Sequence, residues 1–169
     1  VPAGAHTYKV TFLYYDFEES NGSPASTPAV TTDATHTSVA LTAIPVGGYG
    51  VTARKIYRDD SDGVWRLVGT VANNTATTFT DTASIGTVVI PADNNPPRDF
   101  SLIVQHKDRM WMAGIAGDPS ELDFSEASLP DIVLSTNTIL CNPSDPITGL
   151  AVYNDRVVVF NRNSFGQIF

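Results

Sequence analysis

Cysteine is nearly absent from this sequence, because Cys141 is the single one among 169 residues. A lone cysteine excludes an internal disulfide and any metal site built from several cysteines. Its neighbours Ile139, Leu140 and Pro143 are typical of the edge of a strand. We therefore interpret Cys141 as a small core residue rather than a nucleophile.

Long hydrophobic runs are also missing, although hydrophobic residues make up 42% of the chain. No run approaches the roughly 20 apolar residues that span a bilayer as a helix, so we expect no membrane span. The chain begins at Val1 without a charged and then apolar leader. The abrupt ends at Val1 and Phe169 suggest a segment cut from a longer protein, with processing or limited proteolysis as the alternative.

Basic residues are few: 10 Lys and Arg stand against 18 Asp and Glu, for a formal net charge of -8. Such a surface repels phosphate backbones, so direct binding of nucleic acid is disfavoured. The same charge suits a protein that stays in solution, or one whose partner is basic.

Helical periodicity is almost lacking, and short alternating segments separated by Gly, Pro, Asn and Asp clusters take its place. This pattern is typical of an all-β sandwich or barrel. The predicted strands of the first part, residues 1–85, are 6–17, 28–32, 37–44, 51–58, 65–72 and 77–81. The turn 59–63 carries an Asp-Gly step that tolerates positive φ. Six or seven strands in about 85 residues match an immunoglobulin-type sandwich.

Residues 86–99 are rich in Pro and Asn and predict a linker, with Pro96-Pro97 favouring an extended connector. Within this segment, residues 88–90 are a candidate strand at the edge of the sandwich.

The remaining residues, 100–169, contain one hairpin pattern twice. Apolar segments flank the turn at 106–108 and again the turn at 154–155, and Asp108-Arg109 recurs as Asp155-Arg156, 47 residues later. Repeats of about 40–50 residues with several strands each are typical of β-propeller blades. A propeller needs about four to eight blades. The sequence therefore predicts an incomplete set of propeller-like antiparallel hairpins.

Residues 51–58, 65–71 and 77–82 resemble the fibronectin type III-like domains of bacteriophage virion proteins, over about residues 5–83. Residues 103–113, 122–126 and 145–160 look like the blade pattern of phage tail structural proteins of the nozzle or packaged-DNA stabilisation type. The resemblance implies a propeller in a ring beneath the portal, with the sandwich outside it. It implies other tail proteins as partners, a homo-oligomeric ring and a virion location, with no catalytic residue and no cofactor.

Motifs of known chemistry are scarce. The sequence has no nucleophile elbow, no dinucleotide-binding glycine motif and no phosphate loop. Asp59, Asp60 and Asp62 crowd one turn and are weak candidates for a Ca²⁺ site, against the simpler hypothesis of a solvated turn. The acidic residues of 118–126 are candidates for paired glycosidase carboxylates, but Leu122 and Phe124 alternate with them and favour a strand with one face in water. His6, His36 and His106 are too scattered to favour zinc.

Exposed aromatic residues suggest one further possibility. Tyr14, Tyr15, Phe17 and Tyr49 are candidates for a sugar-stacking surface, and of these Tyr15 and Tyr49 are the strongest. Three hypotheses follow. The first is a non-enzymatic tail component, such as a nozzle, hub or adaptor, that acts by protein–protein contacts. The alternative is a carbohydrate- or surface-binding β-sandwich module of a host-attachment or secreted protein. The third is an enzyme fragment that uses Glu121.

Overall fold

The computed structural model describes residues 1–15 and 18–168 and is all-β, with fourteen strands that pair in antiparallel sheets. No helix occurs in these residues, and so none is long and apolar enough to cross a membrane. The chain divides into two compact units, Val1–Ala92 and Asp93–Phe169. The division falls within the segment 86–99 that the sequence marks as a linker.

The first unit contains seven strands in two layers. The strands are β1 (Gly4–Tyr14), β2 (Glu18–Glu19), β3 (Val30–Thr32), β4 (Val39–Leu41), β5 (Val51–Asp59), β6 (Arg66–Val71) and β7 (Phe79–Asp81). The larger sheet has the order β2-β1-β5-β6, with β3 also paired to β1, and β4 pairs with β7 in a small second sheet.

Alternation along β1 and β5 places one apolar row on the face that the small sheet covers. Tyr8, Ile56 and Val71 of the larger sheet are buried with Val39 of β4, and Phe79 of β7 packs against them. Gly69 of β6 makes this approach possible, because a Cβ there would lie 2.3 Å from the ring of Phe79. The two layers thus close over a single apolar core.

Two arginines occupy this inner face, which the apolar pattern does not predict. Arg54 is fully buried and donates hydrogen bonds to the backbone carbonyls of Asn73, Pro45 and Ala76. Burial lowers the pKa of its guanidinium. Since buried carbonyls need donors, Arg54 ties two loops to the end of the core.

Arg58 is the centre of a charged network. Its guanidinium lies 2.6 Å from Asp81 Oδ2 and 2.6 Å from Asp60 Oδ1, and it also donates to the carbonyl of Ser84. His6 Nδ1 lies 2.7 Å from the same Asp60 carboxylate. The network joins β1, β5 and β7, so it links both layers.

Some boundaries differ from the predicted ones. Glu18 and Glu19, which lie between the predicted strands 6–17 and 28–32, form β2 beside Leu13 and Tyr14. Glu19 accepts hydrogen bonds from Thr11 and Tyr57 and pairs with Lys55 at 2.5 Å, which holds the strand in place. Asp16 and Phe17, predicted as the end of the first strand, lie outside the described residues.

The predicted edge segment 88–90 is confirmed as a neighbour of β6. Leu67 N donates to Val88 O, and Ile90 N donates to Trp65 O. An isolated antiparallel bridge joins Arg66 to Val89 between them. The segment thus extends the larger sheet of the first unit by a short stretch.

The second unit is built from two antiparallel sheets. The first sheet contains β8 (Leu102–His106), β9 (Arg109–Ile115), β10 (Asp118–Phe124) and β11 (Thr138–Leu140), and the second contains β12 (Ile147–Tyr153), β13 (Arg156–Asn161) and β14 (Phe165–Ile168). In both sheets the strands are neighbours in chain order. Both predicted hairpins are present, with His106 opposite Arg109 and Tyr153 opposite Arg156 across two-residue turns.

The two sheets of this unit share one core. Trp111 and Leu122 of the first sheet are buried with Val157 and Val159 of the second, and Trp111 contacts Phe124 at a ring separation of 5.1 Å. Cys141 packs at the edge of this cluster, as the sequence predicts, and burial raises the pKa of its thiol. The sheets therefore stack face to face.

On the opposite face of the first sheet the structure corrects one expectation. Asp123 was predicted to face water, yet it is 1% exposed. Arg98 covers it with two hydrogen bonds of 2.8 and 2.6 Å, and Thr138 Oγ1 donates a third. Hydrogen bonding to Asp123 outweighs burial and raises the pKa of Arg98 above its ordinary value. The charge of Asp123 is therefore compensated locally.

Candidate functional site

The three aspartates of the turn after β5 engage different partners. Asp59 Oδ1 accepts from the backbone N–H groups of Asp62 and Gly63, which closes the turn. Asp60 belongs to the Arg58 network. Asp62 pairs with Arg66 at 2.7 Å, and this hydrogen bonding lowers the pKa of Asp62 to about 2. Each carboxylate thus has a structural role in the turn.

Most of the other acidic and histidine candidates also have polar partners, but the buried His106 Nε2 has no hydrogen-bond partner. Arg98 binds Asp118 at 2.9 Å and Glu121 at 2.8 Å, in addition to Asp123. His36 hydrogen-bonds Asp33, and His106 Nε2 lies 3.7 Å from Asp155. Within residues 1–15 and 18–168, no group of three or more His, Cys, Asp or Glu side chains is arranged to hold a metal ion.

The structure brings the two candidate aromatics, Tyr15 and Tyr49, to the same end of the first unit. Tyr15 N donates to Gly50 O at 3.2 Å, and the Tyr15 ring lies over Gly50, where a Cβ would come within 3.0 Å of it. Tyr49, the next residue back, is 96% exposed, and Tyr15 is 51% exposed. These two rings are therefore available to a ligand from solvent.

Three exposed aromatic side chains among the described residues lie on one sheet, the second sheet of the second unit. We call this surface the outer face, and its exposed members are Tyr153 of β12, Phe160 of β13 and Phe165 of β14. The rings of Tyr153 and Phe165 are 73% and 72% exposed. The opposite side of the sheet, with Val157 and Val159, faces the shared core. The sheet therefore has apolar residues on both sides.

Register explains how these aromatic residues meet. Phe160 pairs with Gly149 on one side and with Phe165 on the other, so the two phenylalanines are direct neighbours on one face. Because Gly149 has no side chain, the Phe160 ring lies close to the backbone of β12: an ideal Cβ at position 149 would be 3.6 Å from the ring. Val158, in the adjacent row, is buried beneath the same surface.

The 47-residue repeat gives this face a counterpart in the first sheet. Trp111 and Ala113 of β9 correspond to Val158 and Phe160 of β13, because both hairpins turn over two residues in the same register. Trp111 and Ala113 are buried where the second sheet stacks on the first. In the second sheet the equivalent residues, Val158 and Phe160, lie on the outer face. The outer face therefore corresponds to the side of the first sheet that packs against the second sheet.

Sequence reasoning found the repeat but missed this surface. Alternation along 156–161 was visible, yet which side of the second sheet meets the first depends on how the sheets stack. The available signal was the apolar character of both sides of β13, because a strand that is apolar on both sides is typical of a buried sheet. Such a strand is expected to be covered on both sides, so its exposed side is a candidate contact surface.

No protein-family model, curated protein or solved structure matches this chain.

Proposed function

We propose that this chain is a non-enzymatic structural component of a bacteriophage tail, of the nozzle, hub or adaptor kind, that acts by protein–protein contacts. In this proposal the first unit is an immunoglobulin- or fibronectin III-like sandwich, and the second unit is part of a propeller-like array of blades. Its partners are other tail proteins and further copies of itself in a ring, and its location is the virion.

The outer face is the observation that carries the proposal. Monomeric proteins rarely expose contiguous apolar patches, and larger ones mark interaction sites. Here two adjacent phenylalanines and a tyrosine occupy one side of a three-stranded sheet, and the counterpart of Phe160 in the first sheet, Ala113, is buried by stacking. Repeated stacking of this kind is how blades extend.

Rigid placement of partners is consistent with the ion pairs of both units, in each of which the carboxylate is buried. Arg58 with Asp81, and Arg98 with Asp123, lock strands to one another. Most side chains with obvious chemical potential are engaged in such contacts, although Arg98 and Asp123 also line a cavity of about 310 Å³. This arrangement supports a role carried out by shape and surface.

Electron microscopy of the purified protein tests the proposal. We expect closed rings, and we expect antibodies raised against the first unit to decorate the outside of tail particles that contain the protein. Monomeric particles at every concentration, together with tails that the antibodies do not label, would refute it.

A second candidate function is carbohydrate or surface binding by the first unit. The proximity of Tyr15 to Gly50 and the near-complete exposure of Tyr49 favour it, because exposed aromatic rings offer a large contact area for sugars at low entropic cost. This function is compatible with a tail location, since a sandwich displayed outside a ring can meet a host surface.

A further inference from the structure

His6 of β1 is a buried histidine that joins three parts of the first unit. Its side chain is only 1% exposed. Nδ1 lies 2.7 Å from Asp60 Oδ1, in the turn after β5. Nε2 lies 2.8 Å from Thr32 Oγ1 of β3 and 3.0 Å from the carbonyl oxygen of Pro2. Both ring nitrogens therefore face oxygen atoms at hydrogen-bond distance.

On the Nδ1 side the partner is a carboxylate, which accepts hydrogen bonds and donates none when it is ionised. Asp60 also accepts a hydrogen bond of 2.6 Å from Arg58. Burial raises the pKa of the Asp60 carboxyl, but hydrogen bonds from Arg58 and His6 outweigh burial and hold this pKa below its usual value. Asp60 is therefore ionised at neutral pH, and Nδ1 of His6 carries a hydrogen.

On the Nε2 side two oxygen atoms share a single hydrogen. The Pro2 carbonyl only accepts, and the Thr32 hydroxyl donates its one hydrogen to that carbonyl. The Thr32 oxygen then offers only lone pairs to Nε2. If the hydroxyl turned toward Nε2 instead, Pro2 O would lie beside Nε2 with no hydrogen between them. Because unmade hydrogen bonds are costly in a buried site, the contacts favour a hydrogen on Nε2 as well.

The balance of charge among the buried side chains points to the same state. Arg58 and Asp81 are fully buried, and Asp60 is 19% exposed. Burial and the neighbouring Asp81 raise the pKa of Tyr8, which therefore stays neutral as it donates to that carboxylate. One guanidinium and two carboxylates leave an excess of negative charge, which is costly to bury. An imidazolium at His6 balances it.

The other titratable groups near His6 are consistent with a cation there. Asp59, beside Asp60, adds negative charge to the turn, although its carboxylate is engaged by backbone N–H groups. The Val1 amine donates to a backbone carbonyl at the surface. The neighbouring strand β3 has the sequence Val-Thr-Thr and contributes no titratable side chain.

We propose that His6 is a buried imidazolium and that its second proton acts as a pH-sensitive latch, which holds residues 2–4 and β3 against β1. The ring donates to Asp60 on one side and to Thr32 and Pro2 on the other. Loss of the proton leaves the second side one hydrogen short. β3 should respond first, because it has three residues and pairs with β1 only over the stretch that ends at His6.

The latch should close as pH falls and loosen as pH rises. A proton that the folded chain binds more tightly than the unfolded chain contributes stability at low pH, and this contribution is lost as pH rises. Solvated histidine titrates near about pH 6.5, so loosening should begin above that pH. The latch goes beyond the proposed function and does not depend on it, because all of its groups lie in the first unit.

Nuclear magnetic resonance of the nitrogen-15-labelled full chain tests the charge state, because an imidazolium carries a hydrogen on both ring nitrogens and a neutral ring on only one. His6→Gln identifies the signals of His6 by their disappearance. At about pH 7.5, one unit above the solvated value, we expect two protonated nitrogens in the folded chain and mainly one in the chain unfolded in urea. A folded chain in which His6 has one bare nitrogen at this pH would overturn the inference.

Two variants of the same turn test the source of the proton affinity. Asp60→Asn keeps an acceptor for Nδ1 but removes a negative charge, so His6 should become neutral at about pH 7.5. Asp62→Asn removes a carboxylate that pairs with Arg66, and His6 should keep both hydrogens. Two protonated nitrogens in both variants would contradict the proposed network. Circular dichroism confirms that each variant is folded, and the wild-type spectrum decides the charge state without either of them.

Hydrogen exchange measured by mass spectrometry tests the latch itself. Between about pH 6 and pH 8, the protection of the β3 amides, corrected for the intrinsic exchange rate, should fall about fivefold relative to that of β4, as expected for one lost hydrogen bond. His6→Gln should remove this dependence on pH. A ratio of β3 to β4 protection that stays constant in the wild type, or that changes equally in His6→Gln, would show that His6 is no latch.

Discussion

Arg58 of β5 and Asp81 of β7 form an ion pair of 2.6 Å in which the side chains are only 1% and 0% exposed. The pair spans the two layers of the first unit, and Tyr8 donates a further hydrogen bond to the same carboxylate. Removing one member of a buried pair leaves the other charge without compensation, which costs about 3–5 kcal/mol. The stability of this unit should therefore depend strongly on a few polar contacts.

Asp81→Asn should lower the free energy of unfolding of the first unit by about 3 kcal/mol, because Arg58 then keeps only Asp60 as a charged partner. Urea denaturation followed by Trp65 fluorescence, in a Trp111→Phe background, measures this unit alone. Asp62→Asn is the control, since its pair with Arg66 is partly exposed and should contribute less than about 1 kcal/mol. Equal losses in the two variants would contradict the assignment.

Arg98→Gln should destabilise the second unit by about 3 kcal/mol, since Asp123 is almost fully buried and would lose its cationic partner. Trp111 fluorescence during urea denaturation, in a Trp65→Phe background, reports on this unit. Lys107→Gln, which disrupts an exposed pair with Asp155 at 3.3 Å, should change the unfolding free energy by less than about 1 kcal/mol. An Arg98→Gln variant as stable as the wild type would show that Asp123 is compensated in another way.

The first unit should lose stability at alkaline pH. Burial, together with hydrogen bonds to Asp81 and Glu19, raises the pKa values of Tyr8 and Tyr57 above the ordinary value of 10. A raised pKa in the folded state contributes stability that is present below the unfolded pKa and is lost as pH rises through the folded pKa. Between about pH 8 and pH 11, Tyr57→Phe should lose less unfolding free energy than the wild type. An identical loss would argue against a buried, neutral Tyr57.

Glycan-array binding tests the second candidate function. If Tyr15 and Tyr49 form a stacking surface, Tyr49→Ala should reduce any glycan binding about fivefold or more, because each stacked ring contributes about 1 kcal/mol or more. Tyr153→Ala, an exposed tyrosine of the second unit, is the matched control. Binding that survives Tyr49→Ala but is lost in Tyr153→Ala would exclude the surface formed by Tyr15 and Tyr49.

Alternating patterns and turn chemistry predicted most of the strands, including both hairpins of the second unit, because local periodicity determines which residues share a face. Such patterns could not place Arg54 and Arg58 inside the first unit. Their partners are 22 and 23 residues away, at Ala76 O and Asp81, and are brought near by the pairing of β4 with β7. Glu19 was missed for the same reason, since its strand is held by side chains from β1 and β5.

The sequence predicted only part of the candidate interaction surface. The repeat of Asp-Arg at 108–109 and 155–156 predicted related hairpins, and the structure shows the same register in both. Exposure of Phe160 and Phe165 depends on which side of the second sheet packs on Trp111, and sequence alternation alone does not specify that choice.

Light scattering of the chain as a function of concentration tests the central claim most directly, by comparing the wild type with Phe165→Ser and Phe100→Ser. Phe165 lies on the outer face, whereas Phe100 is an exposed phenylalanine outside the second sheet. Association through the outer face predicts a mass that rises with concentration for the wild type and Phe100→Ser, and a monomer mass for Phe165→Ser. A wild-type chain that stays monomeric throughout, or a Phe165→Ser variant that associates as strongly as the wild type, would contradict the account.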